Sequence, residues 1–115
     1  MSLGPNFLGK TPGPDSGPFS AVANITAKSE SDLKEIMPLL LAVQKNANSN
    51  NEPDCTEYKV IQAHDDPLAI VVYEQYNSAD ALSFHYNQED FQKFAKAAGE
   101  KTSVAHLRFY KHITQ

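Results

Sequence analysis

The sequence predicts an α+β fold, a ferredoxin-like β-α-β-β-α-β sandwich with helices on one face of an antiparallel sheet. Three observations predict it. Four segments read as strands, two by alternation and one by its β-branched and aromatic residues. Two blocks between them carry apolar residues at helical spacing. Polar, turn-rich stretches separate the segments. At 115 residues the chain is expected to hold one folded domain.

Residues 1–18 read as a Pro/Gly-rich N-terminal arm and residues 19–115 as the domain. Gly4-Pro5, Pro12-Gly13-Pro14 and Gly17-Pro18 are expected to prevent regular structure in the arm. Phe19 to Ala27 then alternates, with Phe19, Ala21, Ala23 and Ile25 on one side and Val22, Asn24 and Thr26 on the other. A first strand follows from that pattern. Ser29 stands three residues before Asp32 as a helix start, and Leu33, Ile36, Met37, Leu40 and Leu41 define one helical face. Pro38 lies inside this helix, removes its hydrogen bond to Lys34 and predicts a kink. Asn46 to Asp54 is polar and ends the helix.

Thr56 to Ala63 reads as a second strand and Ala69 to Tyr76 as a third, rich in β-branched and aromatic residues. His64-Asp65-Asp66-Pro67 joins them as a hairpin. Ser78 opens a helix that carries Leu82 inward. A second helical piece runs from about Gln88 to Ala98, and Gly99 is expected to stop it. Ser103 to Ile113 alternates as the last strand. Helices on one face leave the other sheet face to be covered, and a second copy of the chain is the simplest cover.

Composition narrows the partners. Ten basic residues against fourteen acidic ones give a net charge of −4, with no basic cluster, so nucleic acid and anionic membranes are not expected partners. The apolar run Met37 to Val43 is far short of the roughly 20 residues that span a bilayer. A single Cys55 and no recognisable secretory leader lead to the expectation of a reducing, cytoplasmic setting. The histidines show no metal-ligand spacing, no Cys-x-x-Cys is present, and all glycines but Gly99 lie in the arm, so no phosphate-cradling loop exists. No metal site and no cofactor are expected.

Four pieces of the sequence, taken together, resemble one family. Val71-Val72-Tyr73-Glu74-Gln75-Tyr76-Asn77-Ser78 resembles the strand of the antibiotic biosynthesis monooxygenase family that ends in Glu-x-Trp/Tyr-x-Ser. Leu82-x-x-His85 follows at the family's spacing, and Phe91-x-x-Phe94 comes where the family has an aromatic pair. Upstream, Glu52-x-x-Cys55-x-x-Tyr58 is similar to the family's Glu-x-Gly-Cys-x-x-Tyr, with Asp54 in place of the Gly. The resemblance runs from Phe19 to Thr114 and implies a dimeric α+β barrel, a homodimer. It also implies a quinol-monooxygenase-like activity on a small aromatic molecule and O₂ without metal, flavin or haem. Two departures bear on substrate. Val72 stands where anthrone-oxidising relatives carry Asn. Ala95 lies about where haem degraders place an iron-ligating His, which speaks against haem.

Within that frame the residues suggest roles. His85 shares a helix face with Leu82 and can act as a base near neutral pH, or as a buried residue bonding the backbone. Glu74 lies on the Val72 and Tyr76 side of its strand. It can pair with His85 as a carboxylate–imidazole couple, or serve a structural bond. Tyr76, Tyr86, Phe91 and Phe109 can wall an aromatic ligand or simply pack the core, and Val72 shares their side of the sheet. Asn24 can donate to a substrate oxygen or sit at a strand edge. Cys55 reads as a small core residue. Two other functions stay open: isomerisation of a small carbonyl compound, with Lys28 or Arg108 near the pocket if the substrate is phosphorylated, and a non-catalytic dimeric binding or stress protein.

Overall fold

The computed structural model describes residues 6–113, and only the backbone of residues 6–8. Five strands and three helices follow in the order β1 (Asn6–Leu8), β2 (Phe19–Ala27), α1 (Glu30–Ala47), β3 (Cys55–Gln62), β4 (Ala69–Tyr76), α2 (Ala79–Tyr86), α3 (Glu89–Lys101) and β5 (Thr102–Lys111). The sheet order is β1-β5-β2-β4-β3. β5, β2, β4 and β3 pair antiparallel throughout, which is the ferredoxin-like arrangement.

The arm departs from expectation. Asn6–Leu8 adds to the open edge of β5 as a short parallel strand, Asn6 opposite His106 and Leu8 opposite Arg108. Three residues free of Gly and Pro are enough to bond an unpaired edge. Gly9 ends the strand with φ +78°, a backbone state that other residues adopt only under strain. Gly4-Pro5 falls outside the described residues.

Both expected helix starts are formed by serine. The Ser29 side chain accepts from the Asp32 N–H at 3.1 Å, and Ser78 accepts from the Ala81 N–H at 3.3 Å. α1 runs through Pro38 as one element and buries Ile36, Leu40, Val43 and Ala47. That stripe takes in Val43 and leaves out Leu41, which is 45% exposed. Leu41 is five residues beyond Ile36, which puts it at the far edge of an i, i+4, i+7 face. α3 also differs from the reading: it passes Gly99 and continues directly into β5. Gly99 has no positive φ, and the helix end is closed instead by Thr102 Oγ1 donating to the Ala98 carbonyl at 2.7 Å. The Lys28 N–H reaches the Lys101 carbonyl at 2.9 Å.

The pleat sorts the sheet into two faces. Register aligns Phe109, Ala21, Glu74 and Tyr58 in one row across four strands on the helix side. Leu107, Ala23, Val72 and Val60 form the next row. Two apolar clusters lie between sheet and helices. One gathers Ile36, Leu40, Val43, Ile70, Val72 and Phe94; the other gathers Phe19, Tyr76, Leu82, Tyr86, Phe91 and Leu107. Glu74 sits on β4 between Val72 of the first and Tyr76 of the second. Among the described residues no helix is long and apolar enough to cross a membrane.

Ile36→Ala should lower the unfolding free energy by roughly 2–5 kcal/mol, the range for truncating a buried Ile. Leu41→Ala should change it by no more than about 0.5 kcal/mol. Urea unfolding of both variants checks the assignment of the buried stripe.

Candidate functional site

The helix-side row places a carboxylate under the helices. Glu74 is 5% exposed, and its Oε1 accepts from the Tyr76 hydroxyl at 2.6 Å. Burial pushes its carboxyl above the ordinary carboxylate range, while the nearby His85 and the Tyr76 hydroxyl pull it back down. Tyr76 and Glu74 are two residues apart on one strand, so the pleat itself brings them side by side.

His85 is 1% exposed and sits on the inward face of α2. Its Nδ1 lies 2.7 Å from Oε1 of Glu52, itself 2% exposed. Glu52 comes from the turn after α1, and its other oxygen accepts from the Asn46 amide at 3.0 Å. Asn46 also donates to Gln88 at 3.2 Å, which ties this turn to the α2–α3 junction. Four rings surround the imidazole: Phe91 at 5.2 Å, Tyr58 at 5.3 Å, Tyr76 at 5.6 Å and Tyr86 at 5.9 Å between centroids. His85 Nε2 is buried with no hydrogen-bond partner among the described residues. Burial and the nearby carboxylates raise the Tyr58 and Tyr76 hydroxyls well above the usual phenol range, so both stay protonated.

A cavity of about 50 Å³ lies between the sheet and α3. Glu74, Tyr58, Tyr86, Phe91 and Phe94 form one part of its wall. Small side chains form much of the rest: Ala23 and Ala105 from the sheet, Ala95 and Ala98 from α3. Ile25, Val72, Leu40 and Leu107 complete the apolar surface, and His106 also borders the cavity. Glu74 is the one carboxylate in this wall. Ala95 places a methyl group there, so that position offers no ligand to iron. Among the described residues no group of His, Cys, Asp and Glu side chains is placed to hold a metal ion.

A family model for antibiotic biosynthesis monooxygenases matches residues 18–97, from β2 into α3. The chain belongs to this family. Solved structures share the fold. A Pseudomonas aeruginosa protein superposes with a TM-score of 0.76 at 22% identity, over 86% of this chain and 97% of its own. A Mycobacterium tuberculosis protein gives 0.75 at 18% identity, over 85% and 97%. A structure named as an antibiotic biosynthesis monooxygenase gives 0.74 at 18% identity, over 84% and 99%. No curated protein matches the chain.

Within this family fold the expected site residues divide into groups. Glu74, Val72, Tyr86 and Phe91 line the cavity. His85 and Tyr76 stand one layer behind that wall, in contact with it through ring packing and the Tyr76–Glu74 bond. Phe109 packs on Phe19 with ring centroids 6.0 Å apart and borders a surface depression beside the arm, away from the cavity. Asn24 is exposed on the opposite sheet face, where register sets it beside His106 and Val71. It is therefore separated from Glu74 by the sheet. A carboxylate–imidazole couple is present, but its carboxylate is Glu52 and not the expected Glu74.

The structure adds Glu52 and Tyr58 to the residues around His85. Their signal was the Glu52-x-x-Cys55-x-x-Tyr58 spacing, in which Glu52 closes a turn and Tyr58 is the first inward position fully buried on β3. Cys55 itself is pushed up to about 12, chiefly by burial, and holds a neutral thiol.

Glu74 generates a pH-dependent stability. Between the ordinary value of 4.5 and its raised folded-state value, the folded chain binds more protons than the unfolded one, so stability falls as pH rises. Glu74→Gln keeps an oxygen for Tyr76 and removes that loss. The variant should melt above wild type near pH 7, with the difference shrinking toward about pH 4. Thermal scans across that range read it directly.

Proposed function

We propose that this chain is a cofactor-independent monooxygenase that oxidises a small aromatic quinol or enol-like molecule with O₂. The observation that carries the reading is Glu74: one carboxylate with a raised proton affinity, set in the wall of a largely apolar, aromatic-lined cavity. Family membership makes oxygenation the reaction to derive.

Glu74 takes a proton from the substrate hydroxyl or acidic C–H, leaving an electron-rich anion. The anion passes one electron to O₂, and the substrate radical and superoxide recombine to form the new C–O bond. Loss of water from the resulting peroxide gives the oxidised product. For a quinol the sum is quinol plus O₂ giving hydroxyquinone plus H₂O, with the substrate supplying all the electrons. The protein's part is the base, the aromatic walls that orient the ring, and the exclusion of water from the radical pair. His85, expected as the base, takes a supporting role here, because the wall facing the cavity is Glu74 and not the imidazole.

Cavity size favours a small substrate. At about 50 Å³ it has room for only a few waters, whereas an apolar cavity of about 150 Å³ holds benzene. One aromatic ring therefore requires some outward movement of α3 or of the rings on it. The isomerase reading is less well supported for a phosphorylated substrate. Lys28 and Arg108 are both exposed and neither lines the cavity.

We also read the protein as a homodimer formed through the outer sheet face. Ile61 and Tyr110 are exposed there beside half-buried Val22, Val71 and Val104. Ser20 and Gln75 both hydrogen-bond to the Tyr73 hydroxyl on the same face, so a partner would meet satisfied polar groups.

Oxygen-electrode assays with single-ring and fused-ring quinols test the reaction. Wild type should consume O₂ above the spontaneous rate, better with single rings. Glu74→Gln should reduce kcat by about 10²–10⁴-fold, the usual worth of a positioned base. Activity should rise with pH through the raised Glu74 value, since the ionised form is the base. No uptake by wild type with any quinol, or equal rates for wild type and Glu74→Gln, would remove the reading. Light scattering at micromolar concentration should give the mass of two chains.

A further inference from the structure

We propose that Glu52 is a positioning residue that fixes His85 in the tautomer with its proton on Nδ1, leaving Nε2 a bare acceptor inside the buried cluster that contains Glu74. The consequence for turnover rests on the monooxygenase reading above; the tautomer itself does not.

The geometry admits three arrangements of the 2.7 Å contact between His85 Nδ1 and Glu52 Oε1. In one, a neutral imidazole donates its Nδ1–H to a carboxylate. In another, a protonated Glu52 donates to Nδ1 and the ring carries its hydrogen on Nε2. In the third, an imidazolium carries hydrogens on both nitrogens. Nε2 is buried and has no partner among the described residues, so the second and third arrangements strand a donor. The first leaves only a lone pair facing aromatic rings. The other Glu52 oxygen accepts from the Asn46 amide. That bond suits an acceptor-only carboxylate. Asn46 is in turn held by Gln88, and the Asn46 carbonyl oxygen accepts from Asn51 at 2.8 Å. One carboxylate oxygen is thus pinned by a fixed amide, and the other is aimed at the ring.

Orientation matters because of what else faces the imidazole. Tyr58 comes from β3, Glu74 and Tyr76 from β4, Tyr86 from α2 and Phe91 from α3. Of these, Glu74 is the group that changes charge when it takes a substrate proton. A ring held in one tautomer presents a fixed dipole to that carboxylate across the cluster, while Nε2 itself makes no hydrogen bond to it. A ring free to swap tautomers would present that dipole only part of the time. Nothing about Glu52 touches the cavity, since it is absent from the wall and reaches the site only through His85.

Nitrogen-15 NMR of ring-labelled histidine in the full chain reads the tautomer without any substrate. Wild type should show His85 with Nδ1 protonated and Nε2 bare. Glu52→Gln keeps an acceptor oxygen and should keep this tautomer. Glu52→Leu removes the acceptor and should give a mixed or reversed tautomer. In oxygen-uptake assays Glu52→Leu should lose at least roughly tenfold in kcat with KM within about twofold, and Glu52→Gln should recover most of that loss. An Nε2–H tautomer in wild type overturns the proposal, as does a Glu52→Leu protein that keeps both tautomer and kcat. If Glu52→Leu does not fold, the wild-type and Glu52→Gln spectra still decide. If no quinol is oxidised by wild type, the monooxygenase reading falls while the spectra judge Glu52 alone.

Discussion

Two carboxylates and one imidazole share the space beneath the helices, and the rest of the structure is arranged around keeping them there. Taking an ionisable group out of water is costly unless it is hydrogen-bonded. Each of the three has its answer. Glu74 has the Tyr76 hydroxyl, Glu52 has the Asn46 amide, and Glu52 and His85 have each other. The partners come from β4, the turn after α1 and α2. Burying the cluster therefore fixes how these elements sit relative to one another.

The cavity beside this cluster results from what is small rather than from what is reactive. Ala23 and Ala105 on the sheet face Ala95 and Ala98 on α3, and larger side chains in those places would close the gap. Aromatic residues occupy much of the remaining wall and screen His85. The division of labour is spatial: a carboxylate at the wall, an imidazole behind it, and a second carboxylate behind that.

The order of strands and helices was legible because period-two and helical patterns are local. Ser29 and Ser78 announced two helix starts for the same reason. Leu41 and Gly99 behave otherwise: the first stands off the buried stripe, and the second is bypassed where Lys28 reaches the helix end from far along the chain. Leu41 lost its place to Val43, which points more squarely at the core, and Gly99 was overridden when Thr102 and Lys28 closed the helix end. The site was legible in part. Strand alternation placed Val72, Glu74 and Tyr76 on one side, and helix spacing turned His85 inward. It could not reveal that a turn residue, Glu52, reaches that imidazole first, since the contact spans 33 positions. Nor could it tell which sheet face the helices would cover, which is why Asn24 was grouped with residues it never meets.

The fusion of α3 to β5 has a mechanical consequence. A helix that runs into a strand with no intervening loop cannot slide along its axis without dragging the sheet. The Lys101 end of α3 is held by Lys28 and by the Thr102 side chain, while Gln88 at its other end supplies no side-chain cap. The helix is thus anchored by the backbone at β5 and by side chains at its other end, where Gln88 bonds Asn46 and Phe84. An outward movement about the β5 end would displace Phe91 much farther than Ala98. Widening would begin at the aromatic end, beside Glu74, and leave the alanine-lined end nearly still.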